Sequence, residues 1–374
     1  MAATPVAAGW GGDNYGNPTR LLASLCSLGA THPQRGRDNE RIPVTDTSAP
    51  IPSVMERTRP VAAGAAVVDA HFLGGQAVFV LGEEVLFVDS DGTEHCVPTG
   101  NGILSSASDG KRIVIGGDGG KVIAIDAGGT TETVATDPKA RWIDRVALGP
   151  DAVAWSAGKQ AFVRTAKGET RGCEFPTSPG GLAFAPKGLR LAVTHYNGVS
   201  LWFPNADATP ERLEWKGSHL AVTFSPNGQF LVTAMQEPTL HGWRLVDAKD
   251  MRMSGYAAKV RSLGWTVGGK WLATSGSDQL ILWPFQAKDG PMGKQPRLLA
   301  PSKARVAIVA CHPRQEVVAI GYDDGMVLMV RIEDGAEILA KKPGEAPVTA
   351  LAWSGNGAML SWGTENEAGI VDLT

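Results

Sequence analysis

The sequence predicts an all-β protein built as a β-propeller, on three observations. Short runs of β-branched and aromatic residues alternate with Gly, Ser, Asp and Asn, which is typical of strands joined by tight turns. A similar turn recurs, and the seven intervals from Gln76 to Gly357 average about 40 residues. A period of that length with about four strands per unit is typical of a propeller blade, and no unit carries a helical apolar stripe.

Lys259–Phe285 shows the repeating unit most clearly. Apolar residues from Val260 to Trp265 predict a first strand, which ends at the turn Thr266–Gly269. Two further short strands follow, separated by a Ser-Asp turn. One such meander cannot bury its own apolar faces, so the unit must be repeated.

Eight units are predicted from the turn that ends the first strand of each. These turns are Phe72–Gln76, Ser106–Gly110, Leu148–Ala152, Phe184–Gly188, Phe224–Gly228, Trp265–Gly269, Cys311–Gln315 and Trp353–Gly357. A ring of seven blades is the alternative and requires one spurious unit. The third unit, with Ala152 at its turn, is the weakest of the eight.

The last unit ends after its third strand and lacks a fourth. Thr58–Ala63, which precedes the first unit, resembles the fourth strands of other units, such as Arg297–Pro301. We therefore expect this N-terminal strand to complete the last blade, because an open blade would leave an unpaired edge. The predicted organisation is one propeller over residues 58–374.

Residues 1–57 differ from the rest of the chain. They are rich in Pro, Gly, Thr and Asn, their charges balance, and they show no sustained apolar periodicity. The only apolar run, Leu21–Leu28, lies too far from the start for a secretory signal. We expect a disordered extension, or upstream sequence from a misplaced start with Met55 as the true first residue. The expected location is the cytoplasm.

The segment Leu272–Trp283 (LATSGSDQLILW) resembles the WD40 repeat, in which a Gly/Ser-Asp turn precedes a strand that ends in Trp. Leu191–Trp202 and Val317–Val330 carry the same second and third strands. No Trp-Asp dipeptide is present, and Tyr256 stands where the family has His. The resemblance covers roughly residues 58–374, and it implies a propeller whose loop face holds protein partners.

On that face, the turns between second and third strands alternate with the links between blades. The turns are mostly acidic: Gly82–Glu84, Gly117–Gly119, His195–Asn197, Gln236–Pro238, Ser277–Asp278, Tyr322–Asp324 and Thr364–Glu367. The links are mostly basic: Lys139–Trp142, Lys216–His219, Lys259 with Arg261, Lys303 with Arg305, and Lys341–Lys342. Mutual neutralisation on a solvated face is one interpretation. A mixed-charge docking surface around the channel mouth is the other.

The aromatic residues of this face favour docking, because Tyr, Trp and Arg are enriched at binding hot spots. The candidate partner-binding residues are Arg141, Trp142, His195, Tyr196, His219, Tyr256, Lys259, Arg305, Tyr322 and Asp323. Trp142, Tyr322 and Arg305 are expected to form one patch. For Tyr256 a structural role in place of the missing His is the alternative.

The sequence gives little support to catalysis. The histidines of the propeller lie in different blades with no metal-binding spacing, and Gly116–Gly120 has no helix start behind it to form a phosphate loop. No cofactor or metal is predicted. The function expected is a non-catalytic platform for a protein or peptide, in a monomer or a subunit of a hetero-complex. An enzyme or small-ligand site at the channel is the alternative.

Charge and hydropathy limit other partners. The net charge is −3 and no face is uniformly basic, so nucleic acid is not an expected partner. No run of 18 apolar residues is present, so no membrane association is expected.

Overall fold

The computed structural model describes residues 51–374, which form a β-propeller of 30 strands. Most of the predicted N-terminal extension lies outside the described residues. Neighbouring strands are antiparallel throughout. Within each sheet they follow the chain order, except that β1 lies beside β30 in the sheet of the last unit. No helix in residues 51–374 is long and apolar enough to cross a membrane.

Strand β1 (Thr58–Val61) belongs to the last unit, and the first three units are complete four-stranded sheets. The first unit contains β2 (Asp69–Leu73), β3 (Gln76–Val80), β4 (Glu84–Val88) and β5 (Glu94–Pro98). The second contains β6 (Ile103–Ser108), β7 (Arg112–Gly117), β8 (Lys121–Asp126) and β9 (Thr131–Thr136). The third contains β10 (Val146–Gly149), β11 (Ala152–Ala157), β12 (Gln160–Thr165) and β13 (Thr170–Glu174).

The fourth and fifth units share one six-stranded sheet. It contains β14 (Gly181–Phe184), β15 (Leu191–Trp202), β16 (Glu211–Phe224), β17 (Phe230–Met235), β18 (Leu240–Arg244) and β19 (Lys249–Met253). The last three units are again four-stranded. The sixth contains β20 (Leu263–Trp265), β21 (Trp271–Thr274), β22 (Leu280–Pro284) and β23 (Arg297–Leu299). The seventh contains β24 (Val306–Cys311), β25 (Val317–Tyr322), β26 (Val327–Arg331) and β27 (Glu337–Lys341). The eighth contains β28 (Ala350–Trp353), β29 (Met359–Gly363) and β30 (Ala368–Asp372) together with β1.

Counted by sheets, the propeller has seven blades. Seven was the alternative prediction, and the prediction of eight separate blades is wrong. The reason is not a spurious unit, because the weak third unit is a complete sheet. Instead β16 is continuous: its first half pairs with β15, and His219–Phe224 pairs with β17. Strand β15 has a register irregularity between Tyr196 and Gly198, where Asn197 has a left-handed φ of 68°.

The ring closes through the N-terminal strand, as expected. Thr58 to Val61 pair with Val371 to Ala368 of β30, so β1 is the outer strand of the last unit. The first strands β2 and β28 of the first and last units also contact each other. Closure therefore ties the two ends of the described chain together and removes an open edge.

Residues 51–57 lie against the propeller. The backbone N–H of Val54 donates to the carbonyl of Leu339 at 3.0 Å, and the Leu339 N–H donates to the carbonyl of Pro52 at 2.8 Å. Val54 is buried in an apolar cluster with residues such as Ile338 and Leu373. This contact adds a short parallel bridge to the outer edge of β27.

Candidate functional site

The links between units and the turns between second and third strands form one continuous face. They are joined by backbone hydrogen bonds: Asp323 N–H donates to Arg305 O at 2.9 Å, and Ala258 N–H donates to Gly276 O at 2.9 Å. Bonds of this kind recur around the ring and hold each link against the neighbouring turn. The face, called the link face below, is therefore rigid and well placed to present side chains.

Trp142 is the most exposed aromatic side chain described on the link face, at 66%. A buried carboxylate fixes the loop that carries it. Asp137 accepts from the backbone N–H groups of Lys139 at 3.0 Å and Arg141 at 3.1 Å, and from the Arg141 guanidinium at 2.6 Å. The Arg141 side-chain hydrogen bond holds the pKa of Asp137 below its usual value. Arg141 thus stabilises the loop and is committed to that contact.

Asp137 is not among the residues predicted from the sequence, although a signal for its role is present there. The carboxylate stands four residues before Arg141 and directly before Pro138. An Asp at the start of a turn bonds to backbone N–H groups a few residues on, as this one does. The geometry therefore makes Asp137 the residue that positions Trp142.

Ion pairs at two basic links partly support the neutralisation interpretation. Arg305 Nε lies 3.1 Å from Asp323 Oδ2, and Lys341 Nζ lies 2.9 Å from Glu367 Oε2. The Lys259 ammonium donates instead to the uncharged Gln236 Oε1 at 2.7 Å. The face is thus neutralised at some positions, while exposed cations such as Arg261 make no ion pair within the described part of the chain.

Both predicted histidines are buried and already bonded. His195 Nε2 lies 2.9 Å from Ser200 Oγ, and its Nδ1 lies 2.9 Å from the Tyr196 carbonyl. His219 contacts Thr233 Oγ1 at 2.8 Å and the Trp215 carbonyl at 3.0 Å. Burial lowers the pKa of both rings. Their expected place at the docking surface is corrected, because the fused sheet encloses them.

The three tyrosines of the propeller do not form one exposed set. Tyr196 is half exposed, at 52%. Tyr322 is fully buried and donates its hydroxyl to the Ala300 carbonyl at 2.9 Å. Tyr256 is buried and hydrogen-bonded to Thr274 and Trp283. The expected patch of Trp142, Tyr322 and Arg305 is therefore corrected: Tyr322 cannot contact a partner in this structure.

A central channel opens on the link face and encloses about 1300 Å³. First strands β2, β20, β24 and β28 line its wall, and Lys259, Arg261, Arg305 and Asp323 lie along its lining on the link face. Three of the ten predicted residues and their neighbour Arg261 thus surround an opening. The structure brings Lys259, Arg305 and Asp323 together there, whereas His195 and His219 are not part of the lining.

The channel wall holds one Ser, His and Asp cluster, which joins β2 to β6. His71 Nε2 lies 2.9 Å from Ser106 Oγ and 3.3 Å from Asp69 Oδ2, while Ser106 donates to Asp69 at 2.6 Å. In a nucleophilic triad the base uses one ring nitrogen for the nucleophile and the other for the carboxylate. Here one nitrogen makes both contacts, so the arrangement links two blades and is not that of a triad.

Residues 51–374 include several His, Cys, Asp and Glu side chains. No group of three or more His, Cys, Asp or Glu side chains there lies in an arrangement that could hold a metal ion.

Three of the solved structures that resemble this chain do so at low sequence identity. A chain of the mitotic checkpoint complex superposes with a TM-score of 0.54 at 13% identity, over 92% of this chain and 99% of that one. The computationally designed protein Ika8 gives a TM-score of 0.66 at 15% identity, over 82% and 96%. The protein U3-55K gives 0.54 at 16% identity, over 73% and 95%.

These likenesses show the fold alone, because the identities are low. No protein-family model matches the sequence, and comparison with curated proteins finds no match. The β-propeller expected from the 40-residue period is confirmed. Membership of the WD40 family stays a resemblance carried by segments such as Leu272–Trp283.

Proposed function

We propose that this propeller is a non-catalytic platform that docks a protein or peptide on its link face. The observation that carries the proposal is Trp142, a large aromatic side chain held exposed on a loop that Asp137 and Arg141 fix in place. A rigid exposed aromatic gives contact area at small entropic cost, which is the property of a binding anchor. The WD40 resemblance and the checkpoint-complex likeness support a protein partner.

The charged residues near the channel serve as the rim of this surface. Lys259, Arg261 and Arg305 supply cations, and Asp323 supplies a carboxylate. Rim charges act mainly on association rate and partner choice, whereas buried aromatic anchors supply most of the affinity. Trp142 and Tyr196 are accordingly the proposed anchors, and the channel residues select the partner by charge.

The test is quantitative affinity capture from cell lysate with the full chain. We compare the unmodified protein with Trp142→Ala, Tyr196→Ala and the double variant, each checked for an unchanged melting temperature. Val246→Ala is the matched control, since Val246 is exposed, at 84%, in the turn between β18 and β19 on the opposite face. The proposal requires that the double variant capture at least tenfold less of some partner than the unmodified protein does, and that the control capture the same amount.

The contradicting result is equally defined. If the two anchor variants capture the same proteins in the same amounts as the unmodified chain, the link-face anchors are not the docking site.

A further inference from the structure

A second cavity lies outside the ring, between the fifth and sixth units. It encloses about 620 Å³, within the range of about 300–1,000 Å³ that is usual for ligand sites. Its apolar lining comes from Met251 of β19, Ile281 and Trp283 of β22, and Met292 and Leu298 of the loop and strand that follow. This cavity, called the outer groove below, is separate from the link face and the channel.

The outer groove exists because β23 is short. Only Leu280, Ile281 and Leu282 of β22 have partners in β23, so no residue of β23 pairs with the backbone of Trp283. The chain between β22 and β23 bulges outward instead, through a loop of residues 285–296. A full-length fourth strand would fill the space that the groove occupies.

The loop is fastened in place, so the groove is preformed. Asp289 of the loop forms an ion pair with Arg244 at the end of β18, which bridges the fifth and sixth units. The Phe285 ring packs edge-on against Phe230 with 5.2 Å between centroids. Little ordering is therefore needed before a ligand can enter.

One wall of the groove is an edge strand. β19 is the last strand of the six-stranded sheet, and within residues 51–374 no strand pairs with its outer side. An unpaired edge of this kind can accept an extended peptide as an additional strand. Met251 faces the interior at this edge and is buried, which leaves an apolar floor beneath such a peptide.

The rim is predominantly positive. Lys249, Arg252 and Lys294 are exposed and line the groove, and none makes an ion pair with a carboxylate in the part of the chain that the structure describes. The one carboxylate in the lining is Asp250, whose Oδ2 lies 3.8 Å from His241 Nε2. Three unpaired cations against one carboxylate favour an anionic ligand.

We infer that the outer groove binds an extended acidic peptide segment of another protein. The segment adds to the free edge of β19, places an apolar side chain over Met251 and Trp283, and directs its carboxylates to the cations of the rim. This site does not depend on the link face, so a partner can use either site or both.

The experiment uses fluorescein-labelled synthetic octapeptides with the full chain. Each acidic peptide carries Asp and Glu around one central Leu, Ile, Met or Phe, and its counterpart replaces every acidic residue with Lys. Fluorescence anisotropy is expected to show binding of acidic peptides that weakens with added salt, and no binding of the Lys counterparts. Arg252→Glu combined with Lys294→Glu is expected to raise Kd at least tenfold.

Matched variants separate this site from the link face. Lys259→Glu combined with Arg261→Glu makes the same charge change at the channel mouth and is expected to leave Kd unchanged. The inference is overturned if no acidic peptide binds, if the Lys counterparts bind equally well, or if only the channel-mouth variant loses binding. A dimer in sedimentation that the Arg252 and Lys294 reversals dissociate would assign the groove to a second copy, which also overturns it.

Discussion

The indole N–H of Trp283 donates to the hydroxyl oxygen of Tyr256 at 2.7 Å, and that hydroxyl lies 2.8 Å from Thr274 Oγ1. The bonds join the lead-in of the sixth unit to its second and third strands. In the WD40 pattern that the sequence resembles, His occupies the position of Tyr256. The tyrosine thus carries out the structural role that the sequence analysis gave as the alternative to partner binding.

Tyr256→Phe is expected to destabilise the protein by about 1–3 kcal/mol, because it leaves the buried Trp283 N–H without an acceptor. The measurement is the urea unfolding midpoint of the full chain. Tyr196→Phe is the matched control, since Tyr196 is half exposed and the same hydroxyl is removed. Equal midpoints for the two variants would show that the Tyr256 hydrogen bonds contribute nothing.

Asp137→Ala is expected to loosen the loop that presents Trp142. Three donors, from Lys139 and Arg141, lose their common acceptor, although the strands on either side, β9 and β10, keep their pairing. Hydrogen exchange of the backbone amides of residues 139–142 should therefore accelerate at least tenfold, while exchange in β10 stays unchanged. Asp118→Ala, which removes a carboxylate bonded to the Gly102 N–H on a neighbouring turn, is the control. Unchanged exchange at 139–142 would remove the basis for a preformed anchor.

Much of the fold could be predicted from the sequence because turn chemistry and apolar alternation are local. All eight predicted turns join paired strands, and Thr58–Val61 closes the ring. The fusion at β16 could not be predicted, because Lys216 to His219 contains Gly and Ser and has the composition of a link. Only the pairing of β16 with both β15 and β17 shows that this stretch continues as a strand with a register shift.

The site was harder to predict than the fold, because a tyrosine is compatible with either burial or exposure. Tyr322 ends the apolar run of β25 and is buried with it, whereas Tyr196 stands at the register irregularity of β15 and is exposed. Burial of a hydroxyl requires an acceptor, which the backbone of Ala300 provides from another unit. Such a long-range partner has no signature in the sequence.

Val54→Ala is expected to lower stability by about 1–3 kcal/mol, since it removes buried methyl groups from the cluster around Ile338. Removal of residues 1–54 should cost more, because the two backbone bonds with Leu339 are lost as well. Ile51→Ala, at an exposed position, is the control. If a chain starting at Met55 has the same melting temperature as the full chain, the N-terminal contact has no stabilising role.

His241 is expected to make the protein less stable in acid. The ring is fully buried, stacks on Trp215 at 3.9 Å between centroids, and makes no hydrogen bond with either nitrogen. The charged groups near it are Arg252, His219 and, at 3.8 Å, the Asp250 carboxylate. Burial lowers the pKa of His241 to about 3, with smaller contributions from His219 and Arg252.

In the unfolded chain His241 has the ordinary histidine pKa of 6.5, so between pH 6.5 and about 3 the unfolded state binds the extra proton. The stability that the neutral ring contributes is complete above pH 6.5 and is lost as the pH falls, by about 1.4 kcal/mol per pH unit. His312, whose pKa burial lowers to about 4, adds a loss of the same sign over a narrower range.

His241→Phe keeps an aromatic ring against Trp215 and removes both unpartnered nitrogens. The variant should match or exceed the unmodified protein in stability at pH 7, and its stability should fall less steeply between pH 6 and pH 4. Urea unfolding at half-unit pH intervals measures both slopes. Because His312 is unchanged in the variant, part of the stability lost at acid pH must still be lost. Identical slopes for the two proteins would show that His241 is protonated without cost in the folded state, contrary to its burial.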